Sequence, residues 1–308
     1  MTQMTHERLC YFTTAALLLL VNLLLGATVA SAADRGRNGR IAFVADLNGT
    51  RQIYTVHPDG SDLFQVTDLP PANDDAALAP DFSPDGRIVF AHDMTGALEL
   101  YVINADGSGL TQITNDGAYH ASPHWSPDAS HIVFVTRTDL GPGVVASIQA
   151  DGSDKKLLSN PVWDSSGPEY TTDGKHIVFA SQLDGLVSAL WVMETDGRHP
   201  RRITAPELEA GSPDVSPDGR HVVVNNHHSL SVPSSIFKLS LDGSGLTPLT
   251  TAGYTDTLPV YSPDGSKILF MTDRLSPGSF DTFVMNADGS QQKRIMVGGF
   301  SPNWGTQP

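Results

Sequence analysis

Four side chains that could bind a metal ion or a cationic group stand at one repeated position, directly before the residue that ends a Pro-x-aromatic motif. The four are Asp81, His124, Glu169 and Asp214. Carboxylate and imidazole groups bind divalent cations, and a ring of carboxylates attracts cationic side chains. If the motifs belong to equivalent strands of a closed ring, these side chains meet on its axis. The sequence therefore predicts a divalent-cation site formed by His120, His124, Glu169 and Asp214, or an acidic ring that holds a partner's cation.

Further polar and aromatic side chains occur in segments that should be loops on the same side of the molecule. The binding-face candidates beyond the four ring positions are His92, His120, His227, His228, Trp163, Tyr119 and Tyr254. Aromatic side chains are frequent anchors in protein interfaces. Two alternatives stay open, because histidines on loops are usually solvated and aromatic loop residues also cover the edge of a core.

An internal repeat specifies the elements that would position these residues. One set of Asp-Gly pairs recurs at the same place in each unit, in six copies from Asp59-Gly60 to Asp288-Gly289, at intervals of 47, 45, 45, 46 and 46 residues. The aromatic position of the Pro-x-aromatic motif runs from Phe82 to Trp304 in six copies, so one unit has about 44 residues, the length of a propeller blade. Each unit contains β-branched and alternating segments that are typical of short strands. The sequence predicts an all-β fold, a six-bladed β-propeller of four-stranded blades.

Both ends of the repeat fit a closed ring. Residues 41–43 match the second strand of a unit without a first strand before them, and residues 301–304 match a first strand with no second strand after them. We expect the C-terminal strand to pair into the first blade, because closure removes the open sheet edges. The predicted organisation is a signal peptide at 1–32, a short linker at 33–40 and the propeller at 41–308.

The first 32 residues predict export. An apolar run over 15–29 follows Arg8 and ends in the small-x-small pattern of residues 30–32, which a signal peptidase accepts. The alternative is an uncleaved anchor, since 11–29 nearly spans a bilayer. With cleavage we expect a periplasmic or secreted protein without stable membrane insertion. Cys10 is the only cysteine, so the mature chain has no disulfide and no thiol nucleophile.

The composition excludes several functions. A formal net charge of −15 argues against a nucleic-acid partner, which requires a basic surface. Much of this charge comes from aspartates in the repeated turns, where Asp bonds its own backbone. The sequence also lacks a Gly-x-Ser-x-Gly nucleophile elbow and a phosphate-binding loop before a helix.

The most characteristic copies of the unit are residues 104–114, which read Asn-Ala-Asp-Gly-Ser-Gly-Leu-Thr-Gln-Ile-Thr, and residues 122–128. This unit resembles the repeat of the TolB-like propeller family over nearly all of the chain after residue 40. The resemblance implies a periplasmic propeller that binds an envelope protein or peptide, such as a lipoprotein. TolB also has an α/β domain before its propeller, whereas residues 34–40 alone separate the signal from the first strand here. We therefore expect a stand-alone propeller, and no binding residue of TolB can be matched by motif.

The expected function is a non-catalytic, monomeric binding propeller of the cell envelope that needs no cofactor. The resemblance extends to oligogalacturonate lyases, which use a related propeller and a metal held largely by histidines. The alternative is therefore a metal-dependent polysaccharide lyase or hydrolase with its site at the channel mouth.

Overall fold

The computed structural model describes residues 36–46, 50–71, 78–137, 141–183, 188–205, 208–226 and 233–307. Within these residues the chain forms 24 strands in six antiparallel sheets of four strands each, which confirms the predicted six-bladed propeller. The predicted signal peptide, 1–32, lies outside the described residues. The first strand begins at Asn38 rather than at residue 41.

The strands are assigned to blades in chain order. Blade one contains β1 (Asn38–Asp46), β2 (Arg51–Val56), β3 (Phe64–Gln65) and β24 (Phe300–Thr306). Blade two contains β4 (Asp81–Phe82), β5 (Arg87–His92), β6 (Glu99–Asn104) and β7 (Thr111–Gln112). Blade three contains β8 (Tyr119–Trp125), β9 (His131–Arg137), β10 (Val144–Gln149) and β11 (Lys156–Leu157).

The second half of the ring repeats this arrangement. Blade four contains β12 (Ser165–Tyr170), β13 (His176–Ser181), β14 (Ala189–Glu194) and β15 (Arg201–Arg202). Blade five contains β16 (Gly211–Val215), β17 (His221–Asn225), β18 (Ile236–Ser240) and β19 (Thr247–Pro248). Blade six contains β20 (Asp256–Tyr261), β21 (Lys267–Ser276), β22 (Ser279–Asn286) and β23 (Lys293–Val297). The helix described is a 3-10 turn, Pro161–Trp163, and no helix among the described residues could cross a membrane.

The core lies between the blades and is built from the second and third strands. The largest side chains that are fully buried include one phenylalanine from the second strand of each of four blades, namely Phe90, Phe134, Phe179 and Phe270. Opposite this position the third strand usually carries an aromatic residue, such as Tyr101 facing Phe90. β-Branched and aromatic side chains fit a pleated surface that is buried on both faces, which explains the apolar triplets of the repeat.

The repeated aspartates are turn residues, as the sequence indicates. In the turn between third and fourth strands, Ser108 donates its backbone N–H to Asp106 Oδ1 at 2.9 Å, and Asp151, Asp242 and Asp288 each accept the same bond. Gly107 takes φ +84°, where its Cβ would lie 2.9 Å from the carbonyl oxygen of Val66 in the preceding blade. These bonds explain why Asp-Gly recurs at this turn.

The C-terminal strand closes the ring, as predicted. β24 pairs antiparallel with β1, with Trp304 opposite Ile41, and the Trp304 indole N–H donates to the carbonyl of Gly39 at 3.2 Å. Gly305 replaces the Ser or Thr of other copies, and a Cβ there would meet the ring of Phe82 at 2.8 Å. The closing strand therefore contacts blade two as well as blade one.

Candidate functional site

The first strands of all six blades surround the axis of the ring. They line a cavity of about 130 Å³, which is room for a few water molecules at about 30 Å³ each. The lining residues are Ala79, Pro80, Ser122, Pro123, His124, Gly167, Ser212, Pro213, Asp214, Leu258, Pro259, Val260, Ser301, Pro302 and Asn303. A cavity of this volume has room for a single side chain and not for a helix or a strand.

A β-bulge in the first strand positions the side chains around this channel. In five blades the pairing with the second strand shifts at the proline of the motif, and the residue before the proline has a positive φ. These residues are Ser122, Gly167, Ser212, Leu258 and Ser301, with φ between 45° and 51°. Bulges redirect side chains within a strand. The bulge therefore sets the direction of the residue that follows the proline.

The residues after the proline form a ring that joins neighbouring blades; we call Asp81, His124, Glu169, Asp214, Val260 and Asn303 the axial ring. Trp125 N–H donates to Asp81 Oδ2 at 2.8 Å, and Tyr261 N–H donates to Asp214 Oδ2 at 2.7 Å. Val215 N–H lies 3.1 and 3.0 Å from the two carboxylate oxygens of Glu169. In each case a carboxylate of one blade accepts the backbone N–H of the next.

The closing strand takes part in the same ring through an amide. Phe82 N–H donates to Asn303 Oδ1 at 3.0 Å, and Asn303 Nδ2 donates to Asp81 Oδ1 at 2.8 Å. His124 Nδ1 lies 3.4 Å from the same Asp81 oxygen. The axial ring thus joins neighbouring blades by hydrogen bonds, and the sequence did not predict this role.

Burial and crowding shift the protonation of the axial ring. Burial and the charge of Asp214 raise the pKa of Glu169 well above its ordinary value, against the opposing hydrogen bond from Val215. Burial raises the pKa of Asp214 to about 7, although the Tyr261 N–H and the charge of His124 oppose the shift. Burial opposes protonation of His124, but the Asp81 carboxylate outweighs it and raises the pKa of that histidine. The channel therefore retains protons up to neutral pH.

A second polar cluster lies between blades two and three. Glu99, Asp116 and His120 bring three potential metal ligands within 4.8 Å of one another, and among the described residues no other such group of three is found. Glu99 begins β6, Asp116 lies in the loop before β8, and His120 is the second residue of β8. Of these three, the sequence pointed to His120 alone.

A lysine supplies the cation of this cluster. Lys155 Nζ lies 2.6 Å from Asp116 Oδ2 and 3.4 Å from His120 Nε2. His120 Nε2 is 3.0 Å from Asp116 Oδ1. Burial opposes ionisation of Asp116, but the bond from Lys155, the N–H of Ala118 and His120 lower the pKa of Asp116 to about 2. Burial and the Lys155 charge lower the pKa of His120, so its imidazole is the neutral partner.

Lys155 joins the cluster in the blade whose third strand has no aromatic residue opposite the buried phenylalanine. Ala146 faces Phe134 where other blades pair the second strand with an aromatic side chain. The Lys155 ammonium lies 5.8 Å from the Phe134 ring centroid, and the Tyr101 ring lies 5.7 Å from Phe90 in blade two. The ammonium thus lies about as far from the Phe134 ring as the Tyr101 ring lies from Phe90. The joint replacement of an aromatic by Ala146 and of the repeat's leucine by Lys155 is the signal that could have revealed the cluster.

The cluster does not fit a metal ion. The Glu99 carboxylate already accepts the Thr114 hydroxyl at 2.5 Å and the Gly117 N–H at 2.8 Å, so it acts as the anchor of a loop. The Lys155 ammonium, 2.6 Å from Asp116 Oδ2 and 3.4 Å from His120 Nε2, occupies the place between two of the three ligands. The cluster of Glu99, Asp116 and His120 is therefore part of an internal ion pair with Lys155.

The structure separates the remaining predicted residues. His92 and His120 are fully buried, so neither presents its imidazole to a partner, in contrast to their expected place on the binding face. His120 lies in the cluster with Lys155 and His124 in the axial ring, so the four residues of the predicted metal site are divided between two places. His227 and His228 lie outside the described residues.

The three aromatic candidates differ in exposure. Trp163 packs partly buried against the core of blade four, and Tyr119 packs against the core of blade two under the Arg137 guanidinium, 4.7 Å from the ring centroid. Tyr254 is 45% exposed. Covering the edge of the core accounts for the first two, whereas Tyr254 remains available to a partner.

Exposed apolar side chains extend from Tyr254 along blade six. We call Tyr254, Leu275, Val297 and Phe300 the ledge; their exposed fractions are 45%, 55%, 69% and 38%. Leu275 belongs to the β21–β22 hairpin, which contains the ten-residue strand Lys267–Ser276. Val297 ends β23 and Phe300 begins β24, next to Ser301 of the channel lining. The ledge thus lies at the strand ends and hairpin of blade six and in the first residue of β24, directly before the channel-lining Ser301.

Known proteins share this architecture. A family model described as TolB beta propeller domain matches residues 29–213. TolB from Acinetobacter baumannii aligns with a TM-score of 0.73 and 20% identity over 87% of this chain and 67% of its own. A putative TolB from Agrobacterium tumefaciens gives 0.65 and 21% over 86% and 91%. Oligogalacturonate lyase from Vibrio parahaemolyticus gives 0.57 and 12% over 85% and 77%. At these identities the structural likeness establishes the fold alone.

Proposed function

The chain belongs to the TolB β-propeller domain family, and on that premise we propose that it is an exported, non-catalytic binding protein of the cell envelope. It recognises a protein or peptide with the face of the ring that carries the channel mouth and the ledge. The propeller fold serves many unrelated functions, so the support for binding lies in the residues of this face.

The observation that carries the proposal is the difference between the two faces. On the face formed by the short turns, aspartates are satisfied by their own backbone and by neighbouring bases, as in the 2.8 Å pair of Arg87 with Asp85. The opposite face carries the longer connections and the ledge, where apolar side chains stay exposed next to the channel. Exposed apolar patches on a soluble protein mark interaction surfaces.

The polar groups near the channel support binding over catalysis. The carboxylates of the axial ring are engaged as acceptors for backbone N–H groups, and the Glu99–Asp116–His120 cluster holds Lys155. A metal-dependent lyase or hydrolase needs three or four convergent ligands with an open coordination position. The alternative enzymatic function therefore finds no support in either cluster.

Site-directed photo-cross-linking in the producing cell tests the proposal. A photoreactive residue is placed at Leu275 or Val297 on the ledge. The matched controls are Leu110, directly before β7, and Leu157 in β11, since all four side chains are exposed. We expect discrete cross-linked species from the ledge positions and none from the controls. Equal cross-linking from both sets would refute a specific binding face.

Export is tested separately by the N-terminus of the protein in the periplasmic fraction. Cleavage after Ala32 is expected from the signal pattern. A chain that keeps its N-terminus and sediments with membranes would show that the apolar segment acts as an anchor, and would contradict the soluble periplasmic form of the proposal.

A further inference from the structure

Three positions of the repeat face one another on the short-turn side of a blade. They are the residue directly before the apolar triplet, the residue two places before the aspartate of the recurring Asp-Gly turn, and the residue two places after its glycine. In blade one, Arg40 Nη1 lies 2.6 Å from Asp62 Oδ2 and 3.3 Å from His57 Nε2. His57 Nε2 is 3.5 Å from the same carboxylate oxygen. In blade six, Lys267 Nζ lies 2.5 Å from Asn286 Oδ1.

Blade three has a histidine at the first of these positions. The bond from Lys156 is the main cause that lowers the pKa of Asp154, and the side chain of Gln149 and the charge of His131 lower it further. The shorter imidazole thus still acts on the side chain at the third position. The fold therefore brings these three positions together in more than one blade.

Of the six blades, blade four alone has a metal-ligand residue type at all three positions, namely His176, Glu194 and His199. His176 lies directly opposite Glu194 in the pairing of β13 with β14, and the Cβ atoms of such a pair are about 4.5–5.5 Å apart. His199 Nδ1 lies 2.9 Å from Glu194 Oε1. The backbone φ of His199 is 51°, close to the 56° of Asp62 and the 55° of Asp154, so the turn is built as in blades one and three.

The bases beside these three residues have acidic partners of their own. Lys175 Nζ lies 4.0 Å from Asp173 Oδ2, and Arg198 Nη1 lies 3.3 Å from Asp196 Oδ2. Each base is thus paired with the aspartate two positions before it in the same turn. This differs from the cluster between blades two and three, where Lys155 lies between the ligands.

A bound ion would draw the three side chains closer than they lie now, because their donor atoms are not all within 4.8 Å of one another. Donor atoms on one tetrahedral zinc ion lie about 3.3 Å apart, and the 2.9 Å between Glu194 and His199 is close to this. The remaining adjustment is a rotation of the His176 imidazole. His199 and Glu194 are 77% and 46% exposed and His176 is half-buried, and exposed side chains exchange rotamers readily.

We propose that His176, Glu194 and His199 form a Zn²⁺ site on the short-turn face of blade four. Imidazole together with carboxylate is a donor set for Zn²⁺, whereas Ca²⁺ and Mg²⁺ prefer oxygen ligands. Three protein ligands leave the fourth position of a tetrahedral ion open to water or to a group of another molecule. The site lies on the opposite face from the ledge and goes beyond the proposed function.

Calorimetric titration of the full chain, purified without a polyhistidine tag, tests the site with Zn²⁺ as the probe. The buffer contains excess Ca²⁺, which fills sites made of oxygen ligands alone. We expect one Zn²⁺ ion per chain. His176→Ala, Glu194→Gln and His199→Ala should each weaken its binding about tenfold or more, because loss even of an outer partner of a metal ligand costs about 10–100-fold in affinity.

The matched control is His221→Ala, since His221 has the position of His176 in blade five, where Ser240 and Gly245 replace the other two ligands. This variant should bind Zn²⁺ as the wild type does. Melting curves of the metal-free proteins confirm that each variant is folded.

A second control removes the adjacent histidines of the chain, His227→Ala with His228→Ala, and should also leave binding unchanged. Failure of the wild type to bind Zn²⁺, or a loss of affinity in either control as large as in the site variants, overturns the proposal. A His176→Ala protein that binds as tightly as the wild type overturns the three-ligand site. None of these results bears on cross-linking at the ledge, so the proposed function stands or falls separately.

Discussion

At the scale of single residues, the axial ring links the stability of the propeller to pH. A carboxyl group whose pKa is raised by folding leaves stability intact below its unfolded value near 4 and lowers it as the pH rises through the folded value. Asp214, with a pKa of about 7, and Glu169 both act in this direction. We therefore expect these two groups to make the protein less stable at pH 8 than at pH 5.

The substitution Glu169→Gln tests this linkage. Glutamine keeps an oxygen that accepts the Val215 N–H and removes the charge that crowds Asp214. The melting temperature of the variant should fall less between pH 5 and pH 8 than that of the wild type. Glu209→Gln, on a loop outside the ring, serves as the control. A variant with the same pH profile as the wild type would show that the axial carboxyls do not share protons.

Asp81 should be the most costly ring residue to truncate. Its two oxygens accept the Trp125 N–H and the Asn303 amide, and both donors become buried and unpaired in Asp81→Ala. Leaving such groups unsatisfied lowers the free energy of unfolding by about 3 kcal/mol. Val260→Ala, at the equivalent position of blade six, removes no acceptor and should cost about 1 kcal/mol. Urea denaturation of both variants measures the difference. Similar losses of unfolding free energy would argue against a stabilising role for the hydrogen bonds of Asp81.

The sequence predicted where the ring residues lie but not what they do. Equal spacing in the repeat was enough to bring Asp81, Glu169 and Asp214 to the axis. Each of them accepts the backbone N–H of a residue 44 to 47 positions further along the chain, and a backbone donor cannot be predicted from residue type because every residue except proline has one. The cluster of Glu99, Asp116 and Lys155 was missed because it draws on a strand end, a loop and the turn of the next blade.

At the scale of elements, blade three shows how a strand compensates for a missing aromatic residue. Lys155→Leu restores the residue of blade two, and Ala146→Tyr restores the aromatic opposite Phe134. Lys155→Leu should lower the free energy of unfolding by about 1 kcal/mol, because Asp116 loses its ion pair at a half-exposed site but keeps the Ala118 N–H and His120. Ala146→Tyr should lower it by about 1–3 kcal/mol, because it adds a ring to a packed site beside the lysine. The double variant should recover part of the loss, a coupling of about 0.5–3 kcal/mol in a urea-denaturation cycle. Additive losses would show that the two positions are independent.

Strand order was more predictable than strand length. The apolar triplets fixed the second strands, because a segment buried on both faces must be apolar throughout. The extended β21–β22 hairpin that carries Leu275 was not evident, since the Asp-Gly interval across blade six is 46 residues, as in other blades. In blade six, residues that form a loop in other blades extend the second and third strands. The spacing between the Asp-Gly turns is the same in both cases, so it cannot predict this difference.

At the scale of the whole molecule, the ring is closed by one strand pairing between the two ends of the propeller. β24 and β1 meet at the seam of blade one, with Asn38 opposite Thr306. The loop that joins these two residues is the propeller itself. The entropic cost of closing a loop grows with the length of the loop. The pairing of β24 with β1 is therefore the strand pairing whose formation costs the most chain entropy.

A disulfide across the seam therefore should stabilise the propeller more than one inside a blade. In Asn38→Cys with Thr306→Cys the cross-link closes nearly the whole propeller, for which chain entropy alone predicts about 5.6 kcal/mol, whereas His221→Cys with Ser240→Cys closes one hairpin and predicts about 3.3 kcal/mol. Comparing oxidised and reduced forms of each variant by urea denaturation removes the effect of the substitutions themselves. A larger gain from the hairpin disulfide would contradict the entropic account of ring closure.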